Sequence, residues 1–184
     1  LEVLAKYRQM AGIPIAIEVV IDEDDETMLA SAVLQRMNAL DCTITVGAHR
    51  SKVEAVNGGR LAEWDVLLLA SDDMIPVADG YAARAVSVMQ ERFPHLDGAV
   101  YFDDRHQHAN CCTLPIIGRR WYERWGKMDY QPEYKSLFCD QEQTELWRQM
   151  GRLAYVDEVI IEHRHPVWER SPERRIALTD ALYQ

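Results

Sequence analysis

Apolar residues along the chain occur either in short continuous runs or at helical spacing. The run 15–21, broken only by Glu18, is typical of a strand buried on both faces of a parallel sheet. Residues 27–40 carry apolar side chains at steps of three and four, which predicts an amphipathic helix. The other predicted strands are 42–46, 64–70, 99–102, 111–117 and 154–161, and the other predicted helices are 1–10, 51–62, 79–92, 118–125, 140–150 and 174–182.

The order of these elements places the chain in the α/β class. Strands that alternate with helices indicate a mainly parallel, doubly wound sheet flanked by helices, and the pair 99–102 and 111–117 is expected to form an antiparallel hairpin at its edge. A chain of 184 residues is long enough for one well-filled core and short for two. We therefore expect a single domain over residues 1–184.

Composition and charge narrow the function classes. The chain has 20 Lys and Arg against 30 Asp and Glu, a formal net charge of -10, which disfavours nonspecific binding to nucleic acid or anionic membranes. No apolar run approaches the ~20 residues of a membrane-spanning helix, and the cysteines form no Cys-x-x-Cys pair. We expect a cytoplasmic protein without a membrane partner. A nucleic acid could bind only through a local basic patch, formed by Arg119, Arg120, Arg124 and Lys127.

The first candidate site is the pair Asp72-Asp73, which directly follows the predicted strand 64–70. Two carboxylates at a strand end can hold a hard divalent cation, and that cation can neutralise a substrate diphosphate. The alternative is a turn or helix cap, where paired aspartates are common.

Two further candidates follow later in the chain. Asp140, with Glu142 close behind it, opens a predicted helix, and a carboxylate across a cleft from a metal can deprotonate an incoming hydroxyl; the alternative is a helix N-cap. His163 and His165 follow the last predicted strand and share one face of an extended chain. A histidine there can be a further ligand to the same cation, or it can be an ordinary surface residue.

A competing zinc site is weaker. The segment 103–112 holds a His-x-His sequence before Cys111 and Cys112. Structural zinc normally takes paired cysteines separated by at least two residues, so adjacent cysteines fit poorly. An exposed loop followed by a strand is the preferred interpretation.

The order of the motifs resembles that of the GT-A glycosyltransferases, particularly the inverting family-2-like group. Strand 15–21 ends in the acidic cluster 22–26, the basic turn 47–52 and Asn57-Gly58-Gly59 follow, and the next strand leads to Asp72-Asp73. In that group, segments in this order contact the nucleoside, the diphosphate and the metal.

The resemblance implies a role for each candidate residue. It implies contact with the nucleoside for Asp22 and Asp24, and proximity to the diphosphate for Arg50 and Lys52. It implies metal binding for Asp73, with Asp72 beside it, and a further metal ligand at His163 or alternatively His165. It also implies a general base at Asp140, with Glu142 as its rival, and an acceptor side that includes Asp103, Asp104, Trp121, Tyr122 and Trp125. For the three aromatic residues, the alternative is the hydrophobic core.

The resulting expectation is a metal-dependent, inverting, hexosyltransferase-like enzyme. Its implied cofactors are Mn²⁺ or Mg²⁺ and a nucleotide-sugar donor, a UDP-sugar in preference to a GDP-sugar, and its partner is an unidentified acceptor. The alternatives are a non-catalytic protein with the same fold, or a nucleotidyltransferase. The chain starts within the helix that follows the first strand of the family. We therefore expect a sheet without that strand, whose open edge favours a homo-oligomer.

Overall fold

The computed structural model of the protein describes residues 1–59, 61–165 and 168. Helices and strands are interspersed along this part of the chain, which confirms the α/β class. The helices are α1 (Glu2–Met10), α2 (Ser31–Ala39), α3 (Lys52–Asn57), α4 (Tyr81–Arg92), α5 (Arg119–Arg124) and α6 (Cys139–Gln149). The strands are β1 (Ile17–Asp22), β2 (Cys42–Gly47), β3 (Val66–Leu68), β4 (Met74–Pro76), β5 (Ala99–Phe102), β6 (Ile116–Gly118), β7 (Leu153–Val156) and β8 (Ile161–His163). The predicted helix 174–182 lies outside the described residues.

The described strands form three sheets. A four-stranded sheet has the order β3-β6-β5-β7, β1 pairs with β2, and β4 pairs with β8. The β5–β6 pair is antiparallel, as predicted, but the predicted edge position is wrong, because β3 and β7 pair with the outer sides of these two strands. Only the β1–β2 and β5–β7 pairs are parallel among the pairings in the described part of the chain, so the central sheet is mixed. The physical reason is that β6 follows β5 without an intervening α-helix, whereas a parallel pair needs a long crossover.

Several predicted elements have different limits in the structure. Strand β1 was expected to be buried on both faces, but only Ile21 in it is fully buried, because β1 pairs with β2 alone. Helix α2 begins at Ser31 because turns occupy the preceding residues, where the Asp25 side chain accepts a hydrogen bond from Met28 N at 2.9 Å. The single strand predicted over 154–161 is wrong, because this segment divides into β7 and the start of β8, which belong to different sheets.

Two hydrophobic clusters include side chains of the central sheet. The larger cluster packs α1 and α4 against the sheet around Met89, Val100 and Ile116. In the other, Trp121 and Trp147 are buried, with Tyr122 and Trp125 packed against them. Trp121 is therefore a core residue, as in the alternative interpretation, whereas Tyr122 and Trp125 are only partly buried.

No helix among the residues described is long and apolar enough to span a membrane.

Candidate functional site

Strand pairing brings the acidic loop next to the C-terminal histidines. Asp72 and Asp73 occupy a turn, closed by a hydrogen bond of 3.1 Å from Met74 N to Ser71 O, that leads into β4. Strand β4 pairs antiparallel with β8, and Met74 lies opposite His163 in the register. The Asp73 carbonyl also accepts a hydrogen bond of 2.8 Å from Arg164 N. These backbone contacts place the Asp73 and His163 side chains at the same point, although they are far apart in the sequence.

The His163 imidazole lies between two carboxylates. Its Nε2 is 3.4 Å from Oδ2 of Asp73, and its Nδ1 is 3.8 Å from Oδ2 of Asp104. The second distance is that of an ion pair and is too long for a hydrogen bond. The side chains are 22% exposed at Asp73, 13% at His163 and 6% at Asp104. The cluster is therefore largely shielded from water, which strengthens its electrostatics.

This arrangement determines the charges of the cluster. Burial opposes the imidazolium form, but Asp104 and Asp73 outweigh it and raise the pKa of His163 to about 9. Burial also opposes the charged form of the carboxylates, yet His163 lowers the pKa of both Asp73 and Asp104. At neutral pH, two carboxylates therefore face one imidazolium.

The Asp104 carboxylate is held rigidly. Its Oδ1 accepts hydrogen bonds from the backbone N–H groups of His106 at 2.8 Å and Gln107 at 2.7 Å. Its Oδ2 accepts a hydrogen bond of 2.8 Å from the Thr113 hydroxyl. The sequence analysis assigned Asp104 to an acceptor side and did not connect it with His163. The available signal was its position just beyond the end of a strand.

Lys52 and His165 border the same cluster. The charge of Lys52 contributes to lowering the pKa of Asp73, and burial lowers the pKa of His165, whose ring centroid is 5.7 Å from that of His163. Lys52 also lines a small cleft together with Ser71 and Thr113. The cleft therefore joins the start of α3 to the acidic loop.

The donor atoms at this cluster fit a divalent cation in part. No group of three or more His, Cys, Asp or Glu side chains within the described ranges is arranged to hold a metal ion. However, Oδ1 of Asp73 is buried without a hydrogen-bond partner, and His163 Nε2 lies 3.4 Å from the other oxygen of the same carboxylate. A carboxylate and an imidazole supply two ligands. Mg²⁺ in particular commonly takes one or two protein carboxylates and completes its shell with water and substrate phosphate.

The structure separates the two candidate general bases. Helix α6 begins at Cys139 and is preceded by Phe138 with a positive φ of 70° and no side-chain cap, so the alternative interpretation of Asp140 as the N-cap is wrong. Burial and then the charge of Asp140 raise the pKa of Cys111 to about 12, and Asp104 contributes to the same effect. Asp140 and Asp104 therefore both face the segment that begins at Cys111. Glu142, about 200° further round the helix, lines a separate cleft with Tyr134.

The predicted nucleoside and diphosphate residues differ in their surroundings. Asp22 ends β1, and its Oδ1 lies 2.8 Å from Nδ1 of His49, a residue to which the sequence analysis gave no individual role. Asp24 is exposed in the turn after β1. Arg50 has a side chain that is 90% exposed and pairs with Glu54 at 3.5 Å, so it forms a solvated start of α3.

The side chains considered for an alternative zinc site contact different partners in the structure. His108 Nδ1 lies 2.6 Å from Asp103 Oδ2, whereas His106 stacks on Trp168 with ring centroids 4.9 Å apart. Cys111 and Cys112 are buried as free thiols. Their neighbours do not converge on one point.

One residue of the expected basic patch, Arg119, makes contacts within the fold. Arg119 lies over the Trp64 ring, 4.8 Å from its centroid, and pairs with Glu123 at 2.9 Å. Its charge is therefore partly compensated within the chain.

No protein-family model matches the chain, and no curated protein and no solved structure shows significant similarity to it. The geometry of the site is therefore the basis of the function proposed below.

Proposed function

We propose that this chain is a GT-A-type, metal-dependent glycosyltransferase that moves a sugar from a nucleotide diphosphate to an acceptor hydroxyl, with inversion. The observation that carries the proposal is the meeting of Asp73 and His163 through the β4–β8 pair, beside a cleft lined by Lys52. Oxygen and nitrogen donors next to a lysine are suited to a diphosphate with its bound cation.

In this proposal Asp73 and His163 hold Mn²⁺ or Mg²⁺. The bound cation would neutralise the charge that develops on the leaving diphosphate, the largest electrostatic demand of the reaction. Ligation requires His163 Nε2 to lose its proton. Binding of the cation would therefore replace the ion pair between these two side chains.

Lys52 would bind the diphosphate from the start of α3. It lines the cleft that also contains Ser71, and its charge acts on Asp73. Arg50 points into solvent and pairs with Glu54, so Lys52 is the better candidate for this contact.

Asp140 would act as the general base toward the acceptor. It lies in the first turn of α6 and faces the segment at Cys111, as Asp104 does. Glu142 faces the cleft with Tyr134 instead. The proposal therefore assigns proton removal to Asp140 and excludes Glu142 from that role.

The test is a thermal-shift titration with UDP, GDP and their sugar conjugates, with Mn²⁺ or with EDTA. A ligand at about 100 times its Kd stabilises a protein by about 2.7 kcal/mol, which for a chain of this size raises the Tm by roughly 5–10 °C. We expect this shift for one nucleotide class with Mn²⁺ only. We also expect it to disappear in Asp73→Asn and His163→Gln.

Asp79→Asn is the matched control, because it removes one exposed carboxylate from the loop after β4. It should keep the wild-type shift. A metal-dependent shift that survives in Asp73→Asn would contradict the proposed site. Release of UDP or GDP from the sugar conjugate in the presence of acceptor mixtures, lost in Asp140→Asn and kept in Glu142→Gln, would test the transfer itself.

A further inference from the structure

The segment between α5 and α6 carries a carboxyl group in the protein interior. Residues 126–138 form turns and bends. Asp129 in this segment is 4% exposed, and Gln143 of α6, which contacts it, is 3% exposed. Within the described part of the chain, Oδ1 of Asp129 and Oε1 of Gln143 are buried and have no hydrogen-bond partner. Two buried acceptor oxygens therefore lack a donor at one contact.

Hydrogen bonds fix the backbone of this segment to α3 and α6. The Asn57 side chain in α3 accepts hydrogen bonds from Asp129 N at 2.8 Å and from Tyr130 N at 3.1 Å, and its Nδ2 donates to Tyr130 O at 2.8 Å. The Gln143 side chain in α6 donates to the Asp129 carbonyl oxygen. These backbone contacts place the Asp129 side chain in the interior.

The buried Asp129 carboxyl favours its neutral form, because a carboxylate without a donor or a counter-ion is costly to bury. Burial by itself raises the pKa of Asp129 from an ordinary value of 3.8 to about 7. The titratable and charged groups around this contact are Tyr130 and Tyr134 on the segment, Cys139, Asp140 and Glu142 on α6, Lys52 on α3, and Cys112. Burial raises the pKa of the tyrosines and cysteines among them, away from neutral pH. Asp129 is therefore the buried group at this contact that exchanges its proton near pH 7.

Both ends of the segment are left-handed turns. After α5, Gly126 has a φ of 96° and Lys127 a φ of 61°, and before α6, Phe138 has a φ of 70°. For Phe138 this conformation is strained, because a bulky residue rarely adopts a positive φ. Such strain persists only while the surrounding contacts hold it. The two turns are therefore the points at which the segment can move away from α3 and α6.

We propose that Asp129 is a pH-sensitive switch: its neutral acid keeps residues 128–137 docked on α3 and α6, and its ionisation releases them. The carboxyl group gives its proton to water, and the released carboxylate regains the hydration that the interior denies it. Tyr130 lines the cleft that also contains Lys52, so release of the segment would also open this cleft. That consequence rests on the proposed function, whereas the switch itself does not.

The test is hydrogen–deuterium exchange of this segment between pH 4 and pH 8.5, with each rate corrected for the intrinsic effect of pH. Because the folded pKa of Asp129 is raised, the docked form holds one proton more than the released form between pH 3.8 and about 7. The released fraction should therefore rise about tenfold per pH unit over that range, roughly a thousand-fold in all, and stay constant above it. In Asp129→Asn, which is neutral at every pH, it should stay as low as in wild type at pH 4.

Two variants and one internal reference serve as controls. Glu133→Gln removes an exposed carboxyl from the same segment and should exchange as wild type does at each pH. Asn57→Ala removes the bonds to the Asp129 and Tyr130 backbone, so it should raise exchange of the segment at pH 4 as well as at pH 8. The amides of α4, in the larger core cluster, should stay protected throughout if the opening is local.

Three results would overturn the switch. The first is a released fraction that is independent of pH in wild type, or that changes equally in Asp129→Asn. The second is an equal loss of protection in α4, since this would be unfolding of the whole chain. The third is protection at pH 8 that requires Na⁺ or K⁺ in place of choline, since Asp129 would then be a carboxylate with a bound cation. None of these results bears on the proposed transferase, which is tested by metal-dependent nucleotide binding.

Discussion

Replacing His163 by Gln should destabilise the protein strongly at low pH and weakly at high pH. The pKa of His163 is about 9 in the folded chain against an ordinary value of 6.5. Since one pKa unit corresponds to about 1.4 kcal/mol, the imidazolium in its two ion pairs stabilises the fold by about 3 kcal/mol. The lowered pKa of Asp73 reflects the same interaction and is not counted again.

The pH dependence of this stabilisation follows from the direction of the pKa shift of His163. Because the folded pKa of His163 is raised, the stabilisation is fully present below about pH 6.5 and is lost as the pH rises through about 9. Gln cannot carry the charge, so it leaves Asp73 and Asp104 buried without their cation. We expect the free energy of unfolding to fall by about 3 kcal/mol at pH 6 in the variant, and by much less at pH 10.

The assay is urea denaturation of wild type and His163→Gln at pH 6, 8 and 10 without metal, with His95→Gln as the control for an exposed histidine. A difference between wild type and His163→Gln that is the same at pH 6 and pH 10 would refute the assignment of a charged His163. So would a difference that grows with pH.

Three further predictions concern the core. Burial raises the pKa of Asp129 to about 7, so Asp129→Asn should stabilise the chain by up to about 4 kcal/mol at pH 8, and in urea denaturation the gain should vanish near pH 4. Gly118→Ala places a Cβ 2.5 Å from the Leu96 carbonyl oxygen and should cost about 2 kcal/mol or more, whereas an unchanged Tm would contradict that contact. Trp147→Ala, at a side chain that is 1% exposed, should cost about 3–5 kcal/mol in the same assay, and a loss below about 1 kcal/mol would show that the tryptophan cluster is not packed as described.

Local sequence patterns predicted the positions of many elements but not all their limits. Apolar periodicity located α4 and α6 within a few residues, because a helix is set by neighbouring positions. The strands were harder to delimit. The apolar run 64–70 contains only the short strand β3, because a strand extends only as far as its partner β6 pairs with it.

Some features of the candidate site could likewise be predicted from the sequence, and others could not. The acidic loop and the histidines were recognisable as chemistry, since carboxylates and imidazoles at strand ends are typical ligands. Strand β8 places His163 opposite Met74 and so next to Asp73, and the choice of His163 over His165 as a cation ligand stays a prediction. The choice of Asp140 over Glu142 as the general base also stays a prediction, since the position at which α6 begins excludes only the N-cap alternative for Asp140. The position of Asp104 just beyond a strand marked it as a candidate, but its contact with His163 could not be predicted, because it depends on a loop held by Thr113 and by backbone N–H groups.

The sequence by itself determined the α/β class and the segments that carry ionisable chemistry, because these depend on side-chain type and on periodicity over a few residues. Only the tertiary structure decided that the central sheet is mixed, that His163 lies between Asp73 and Asp104, and that the Asp22 carboxylate contacts the His49 ring. Each of these depends on the register of paired strands or on close approach of distant backbone. Such contacts are selected by the packing of the whole chain, which no local pattern records.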